Sequence, residues 1–497
     1  MSEGPLIAIQ INGTSFRDEG VEPVLDVLQE RAHVNGLFLG TPAWTRGIGG
    51  RQVPGHHLPD HGAQEYDYDY VGGDYARTRP EYFGGTFLGP VPRATEFGDG
   101  DLLEQVVPAA LARGIAPYAL LDESSYIQAV RDIPNMPKVL EVDVWGRPST
   151  RMCFNNPDYR NWWLSVVEDY VKNYGLQGIA MISERGGPLN TAVQGAVYPE
   201  GLTCFCTHCR SIALERGIDP DRARRGYREV LRWNQRLQAG ERPSDGAFTT
   251  FWRILLEFPE VLAWQTLWTD GQHQLYRDVY GVAKASNPLV QVGWHMYHTI
   301  SWSPFYRADQ DYAKLAEFSD FLKIVAYDNA GGPRLHSFVR SISNAFFADL
   351  TPEEAYPVLL RLLDLDEGDL ASLPQTGLSP DYVRRETARA VRSAGATKIY
   401  TGIDIDIPVG TTPEADADRV KRFEGNMGQN RNAALQAVNN DTTRGEKLTS
   451  SSPEGVRDAV LAAFEGGASG IVLSRKYSEM MLDNLSGVGA ALDRLGF

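Results

Sequence analysis

The chain has 497 residues, 42% of them hydrophobic, enough for one large α/β domain with inserts or for several smaller domains. A formal net charge of −16 without a basic run argues against a nucleic-acid binder and against a protein drawn to anionic membranes. Four cysteines do not make a disulfide scaffold, and the start Met-Ser-Glu-Gly-Pro-Leu-Ile-Ala-Ile has no basic segment leading into an apolar one, so the expected compartment is the cytoplasm.

Short apolar runs recur along the chain between helical patterns. They predict strands at about Leu6–Ile11, Gly36–Gly40, Ile115–Leu121, Gly178–Ser183, Val290–His295, Phe321–Tyr327, Lys398–Ile403 and Gly470–Ser474. Their near-continuous apolar character suits a parallel sheet covered by helices. Helices are predicted at Asp158–Tyr174, with Asn156 as N-cap and Pro157 at the first position, and at Asp311–Phe318, Pro380–Ser393 and Pro453–Phe464. Eight such units predict a single (β/α)8 TIM barrel over 1–497, with its chemistry at the carboxyl ends of the strands. No G-x-G-x-x-G follows the first strand, so a dinucleotide-binding open sheet has no support and no organic cofactor is expected. Long inserts are expected after strands 2, 3, 4 and 7, at about 41–101, 122–156, 185–242 and 408–452.

Carboxylates stand at or just past several predicted strand ends: Asp122 and Glu123, Glu184, Asp328, and Asp404 with Asp406. Cleavage of a glycosidic bond needs two facing carboxyls, which different barrel strands can supply. Asp404 and Asp406 project to one side by the period of two. Any one of these acids can instead cap a helix or hold an arginine. Trp294 offers a ring for stacking on a sugar and His295 an imidazole for a hydroxyl; Tyr327 and Trp302 carry the same two readings, core or contact. In the strand-2 insert, Trp44, His57 and the tyrosines from Tyr66 to Tyr75 are candidate sugar contacts. The run His56-His57-Leu58-Pro59-Asp60-His61 favours that role over a metal site. Arg185 can orient Glu184 or touch substrate. Arg334 and Arg475 can bind an acidic sugar or pair with the strand-end acids.

The segment Cys204-Phe205-Cys206-Thr207-His208-Cys209 begins 20 residues after Glu184 and holds three of the four cysteines; Cys153 lies upstream. The C-x-C-x-x-C spacing plus one distant thiol predicts a structural zinc site on Cys153, Cys204, Cys206 and Cys209, with His208 as the substitute if Cys153 lies elsewhere. A strand-4 glutamate followed by this cluster resembles the family 42 β-galactosidases, barrel glycoside hydrolases with a four-cysteine zinc site. The segment Tyr174-Gly-Leu-Gln-Gly-Ile-Ala-Met-Ile-Ser-Glu184 is similar to the approach to strand 4 in other glycoside-hydrolase-like barrels. The resemblance covers some 60 residues around Cys153–Arg210. It implies that Glu184 is the acid/base of a glycosidase acting on a carbohydrate. That family has Asn before this glutamate, where Ser183 stands here, and a strand-7 glutamate nucleophile, where Asp404-Ile405-Asp406 stands here. The partner of Glu184 is therefore left between Asp404 and Asp328. Two alternatives accompany this reading: a sugar isomerase or epimerase with a divalent metal held by Glu184, His295, Asp328 and Asp404, and a non-catalytic carbohydrate-binding barrel. Neither a nucleic-acid nor a membrane partner is expected, and homo-oligomerisation is left open.

Overall fold

The computed structural model describes residues 4–44, 60–61, 72–95, 98–123, 127–197, 201–405, 451–474 and 477–497. Ten strands are present among them: β1 Leu6–Asn12, β2 Gly36–Gly40, β3 Ala116–Asp122, β4 Leu140–Val142, β5 Pro148–Met152, β6 Gly178–Ile182, β7 Gln291–His295, β8 Phe321–Val325, β9 Lys398–Asp404 and β10 Gly470–Ser474. Eight of them close into a parallel barrel in the order β1-β2-β3-β6-β7-β8-β9-β10, and β10 pairs back onto β1. All eight expected strands are present, and β6 is the fourth barrel strand. The chain is a (β/α)8 barrel.

Alternation along each strand sorts the side chains into two layers. Ala8, Phe38, Tyr118, Leu120, Ala180, Ile182, Phe321, Tyr400 and Val472 fill the barrel interior. Their neighbours in sequence, such as Ile9, Leu39, Ile179, Leu322 and Ile471, belong to the outer core against the helices. The helices start where local chemistry predicts. Asn156 Oδ1 accepts from Asp158 N at 2.9 Å and opens Pro157–Asn173. Ser379 and Ser452 cap Pro380–Ala394 and Pro453–Glu465 in the same Ser-Pro arrangement.

Two inserts build a second apolar cluster. The strand-3 insert contributes the hairpin β4–β5. The strand-4 insert, expected over 185–242, runs on through Ala247–Glu257 and consists of Gly187–Val193, Thr207–Glu215, Pro220–Gln238 and that last helix. Phe205, Tyr227, Leu231 and Phe251 pack there with Trp264 and Leu267. Those two residues open the 27-residue helix Glu260–Ser286, whose later residues Trp268, Leu275 and Tyr276 lie in the barrel's own core. One long helix thus serves both clusters and fixes the insert on the barrel. The insert expected at 408–452 falls almost wholly outside the described residues. No described helix is long and apolar enough to cross a membrane.

Candidate active site and cysteine cluster

The interior positions change from apolar to polar toward the carboxyl ends of the strands. The alternation that sends Ala8, Phe321, Tyr400 and Val472 inward brings Gln10, Lys323, Gly402 and Ser474 next, and Asp404 above Gly402. On β6 and β7 the same parity points Glu184 and His295 inward. Lys323 is 1% exposed and lies at the centre of this ring. Its Nζ lies 3.0 Å from Gln10 Oε1, 2.8 Å from Tyr327 Oη, 3.2 Å from Ser474 Oγ and 3.1 Å from His295 Nδ1. Gly402 leaves the room: a Cβ there would sit 3.0 Å from Lys323 Cε.

Burial pushes the Lys323 ammonium well below the usual lysine range, against the pull of the Glu184 and Asp404 carboxylates. Burial and the Lys323 charge together push His295 down to about 4, so its ring is neutral near neutral pH. Lys323 Nζ shares a hydrogen bond with His295 Nδ1, which leaves the other ring nitrogen, Nε2, toward Glu184. That nitrogen is 3.4 Å from Glu184 Oε1, an ion-pair distance rather than a tight hydrogen bond. The Glu184 side chain is 44% exposed, so the carboxyl is open to solvent on one side and held by the ring on the other. Such a group can exchange protons with a bound ligand.

The structure brings Glu184, His295, Tyr327 and Asp404 together; burial raises the Tyr327 phenol, which feels the charges of Glu184, Asp404 and Arg334. Asp404 is 1% exposed and its Oδ2 accepts from Ala330 N at 2.6 Å, at the start of the helix Gly331–Ser343. Asp328 stands apart from this ring. Burial raises its carboxyl to about 7, and the charge that weighs on it is Glu367. Its carbonyl accepts from Leu378 N at 2.9 Å, so it belongs with the segment that precedes Pro380.

Three expected substrate contacts have other surroundings. Trp294 is adjacent to His295 and therefore faces the opposite way; it stacks on Tyr276 at 4.3 Å and 8° in the helix layer. Trp44 is buried beside Trp162, with ring centroids 6.3 Å apart. Arg185 is fully buried, with Nη1 2.8 Å from Glu123 Oε1 and Nη2 2.8 Å from Glu141 Oε1. Its guanidinium lies over Phe154 at 4.2 Å and Trp268 at 5.4 Å. None of the three can reach a ligand in the barrel mouth. His57 and Asp406 lie outside the described residues, as do Tyr66, Tyr68, Tyr70 and Arg475. Glu123 is held by Arg185, Ser183 and Tyr159, so it is an anchor for the β6 end rather than an open acid.

The sequence reading missed Lys323, Gln10 and Ser474. The signal was present: a lysine at an inward position of Phe321-Leu322-Lys323-Ile324-Val325, and a glutamine at the matching position of β1, each interrupt an apolar run. The four residues proposed for a divalent metal, Glu184, His295, Asp328 and Asp404, do not form a ligand cluster, and the Lys323 amino group stands at His295 Nδ1.

The only cluster of potential metal ligands among the described residues is Cys153, Cys204, Cys206 and Cys209, whose sulfurs all lie within 4.8 Å of one another. Cys153 Sγ is 3.6 Å from Cys206 Sγ and 3.5 Å from Cys209 Sγ, too far for a disulfide. A tetrahedron with metal–sulfur bonds of about 2.3 Å has edges of about 3.8 Å, close to these separations. Val142 N donates to Cys204 Sγ and Asn155 Nδ2 to Cys209 Sγ, each at 3.4 Å. His208 takes no part. The four cysteines can bind a metal ion. A hydrogen-bonded path joins the cluster to the β6 end: Thr203, beside Cys204, donates to Glu141 Oε2 at 2.6 Å, and Glu141 meets Arg185, the residue after Glu184.

The molecule is thus a (β/α)8 barrel with a polar ring at its carboxyl-terminal mouth and a cysteine cluster tied to the fourth strand. No protein-family model matches the sequence, and no curated protein matches it. Among solved structures the chain is similar to a β-galactosidase from the haloarchaeon Halorubrum lacusprofundi, at 12% identity and a TM-score of 0.51, over 99% of this chain and 58% of that one. It is similar also to a β-galactosidase from Marinomonas ef1, at 11% identity and a TM-score of 0.50, over 99% of this chain and 60% of that one. The chain spans about three fifths of the length of those two enzymes. At this identity the likeness shows the fold alone, a (β/α)8 barrel.

Proposed function

We propose that the protein is a glycoside hydrolase in which Glu184 is the general acid/base and Asp404 the second carboxylate. The observation that carries this reading is the inward, half-exposed Glu184 facing the Nε2 edge of a neutral His295, with Asp404 in the same ring. A neutral imidazole beside the carboxyl supplies no full counter-charge, so the acid can take and return a proton. Asp404 is preferred to Asp328 because its charge is felt by Lys323 and Tyr327, the groups that feel Glu184, whereas Asp328 faces Glu367. The likeness to β-galactosidase barrels supports a carbohydrate substrate. The cysteine cluster fits a structural zinc ion, which would stiffen the insert behind Arg185 and hence the end of β6.

The test is hydrolysis of aryl glycosides and of unactivated oligosaccharides by the wild-type protein, Glu184→Gln, Asp404→Asn and Asp328→Asn. Glu184→Gln should lower kcat by about 10²–10⁴-fold on substrates with poor leaving groups, and less on aryl glycosides. Azide should restore turnover if the enzyme retains configuration. Asp404→Asn should lose activity on both substrate types, and Asp328→Asn should keep most of it. Wild-type turnover in Glu184→Gln would sink the assignment.

A further inference from the structure

Arg334 lies in the first turn of the helix Gly331–Ser343 and has an unusual partner. Its Nη1 donates to His298 Nδ1 at 2.9 Å. The guanidinium can only donate, so His298 accepts at Nδ1 and is neutral, with its Nε2 3.0 Å from Tyr382 Oη. This contact uses one of five N–H groups and supplies no negative charge. Among the described residues no carboxylate lies within ion-pair distance of Arg334, whereas Arg79 pairs with Asp169 and Arg307 with Glu386. The side chain is partly exposed, and its charge is directed at the barrel mouth: the guanidinium lies 5.9 Å from the centre of the Tyr327 ring. Its field reaches His295, Lys323 and Tyr327, the groups that also feel Glu184.

Holding an arginine over an aromatic ring against a neutral imidazole pre-orders the planar fork without satisfying its charge. Such a fork matches a carboxylate in two parallel hydrogen bonds. The setting sharpens the point. The chain as a whole carries a charge of −16, which repels anions at long range, yet this mouth holds the Arg334 guanidinium beside Tyr327. Asp404 is already engaged by Ala330 N, and Glu184 stands against His295.

From this geometry we propose that the barrel mouth recognises a uronic acid, the sugar carboxylate pairing with Arg334 beside Tyr327. The proposal deepens the glycosidase reading and rests on it for the bond that is cleaved: the substrate would be a glycosiduronate or an acidic oligosaccharide. The recognition itself can be tested without turnover. Binding of D-glucuronate and D-galacturonate, with D-glucose and D-galactose as neutral counterparts, would be measured by calorimetry on the full chain. At least one uronate should bind roughly 10- to 100-fold more tightly than its neutral counterpart, the usual scale for a charged hydrogen-bonded pair. The preference should shrink as NaCl is raised and vanish in Arg334→Met. Arg334→Lys should keep the charge, lose the fork and retain part of the preference. The comparison of acid with neutral sugar on the wild-type protein needs no variant, so it stands even if Arg334→Met fails to fold. Equal affinity for acid and neutral sugars, a preference that survives Arg334→Met, or no binding of any of the four would overturn the proposal. A measured uronate preference with no turnover of any aryl glycoside, acidic or neutral, would instead remove the hydrolase reading and leave the acid-binding site in place.

Discussion

Replacing Arg185 by methionine separates a structural cation from a substrate-binding one. The guanidinium is fully buried between Glu123 and Glu141, whose side chains are 0% and 1% exposed. Methionine can occupy much of the space over Phe154 and Trp268, so the perturbation is mainly electrostatic. Both carboxylates keep neutral donors. Glu123 accepts from Ser183 Oγ at 2.7 Å and Tyr159 Oη at 2.8 Å; Glu141 accepts from Thr203 Oγ1 at 2.6 Å and Trp268 Nε1 at 2.8 Å. What they lose is the cation that bridges them at 2.8 Å on each side; Arg151, whose charge both carboxylates also feel, stays. Breaking a buried ion pair in this way costs about 3–5 kcal/mol, a large part of a typical total stability of about 5–15 kcal/mol. In urea that corresponds to a midpoint lower by roughly 1 M. The effect has a pH signature. Burial already raises the Glu123 carboxyl, and Arg185 is the main group holding it down. Without Arg185 it rises further above its unfolded value of about 4.3. A carboxyl raised on folding keeps a proton that the unfolded chain releases, so stability is present below the unfolded pKa and falls as pH rises through the folded one. The deficit of Arg185→Met should therefore be smallest near pH 5 and grow toward pH 8. Urea unfolding followed by tryptophan fluorescence at both pH values reads it directly. A variant as stable as the parent at pH 8 with only a raised KM would refute this reasoning and return Arg185 to the substrate.

Two further outcomes follow from the geometry. The purified protein should contain about one zinc ion per chain; Cys206→Ser or a strong chelator should release it, lower the melting temperature and reduce activity through the Thr203–Glu141–Arg185 path, whereas a metal-free protein with four readily alkylated thiols would remove the zinc assignment. Lys323→Met should raise the pKa of His295 from about 4 toward its ordinary value of about 6.5, because the neighbouring cation is among the causes of the depression. A histidine depressed on folding contributes stability that is present above pH 6.5 and lost as pH falls toward 4, so this part of the acid-side loss should shrink in the variant; an unchanged ring titration by ¹⁵N NMR would show that burial alone sets the value.

The eight-stranded barrel is legible in local sequence pattern alone. Eight apolar runs, Ser-Pro and Asn-Pro helix starts, and long polar inserts on one end are local patterns, and local patterns survive without knowledge of the neighbours. The grouping of the four cysteines was legible as well, because the C-x-C-x-x-C spacing is a property of the chain. The position of Glu184 just past the end of β6 was legible for a related reason: the register of that strand is fixed by its own apolar face. What only the tertiary structure decided is which groups meet. Trp294 looked like a sugar platform until the pairing of β6 with β7 fixed its parity and turned it toward Tyr276. Arg185 looked like an orienting cation until the β4–β5 hairpin brought Glu141 against it from a distant part of the chain. The lysine at 323 has no local partner at all within β8. Its environment is assembled from β1, β7 and β10 and from Tyr327 beyond its own strand, and the space for it is left by the missing side chain of Gly402. Contacts between residues hundreds of positions apart depend on how the barrel closes, and closure is a property of all eight strands together rather than of any segment.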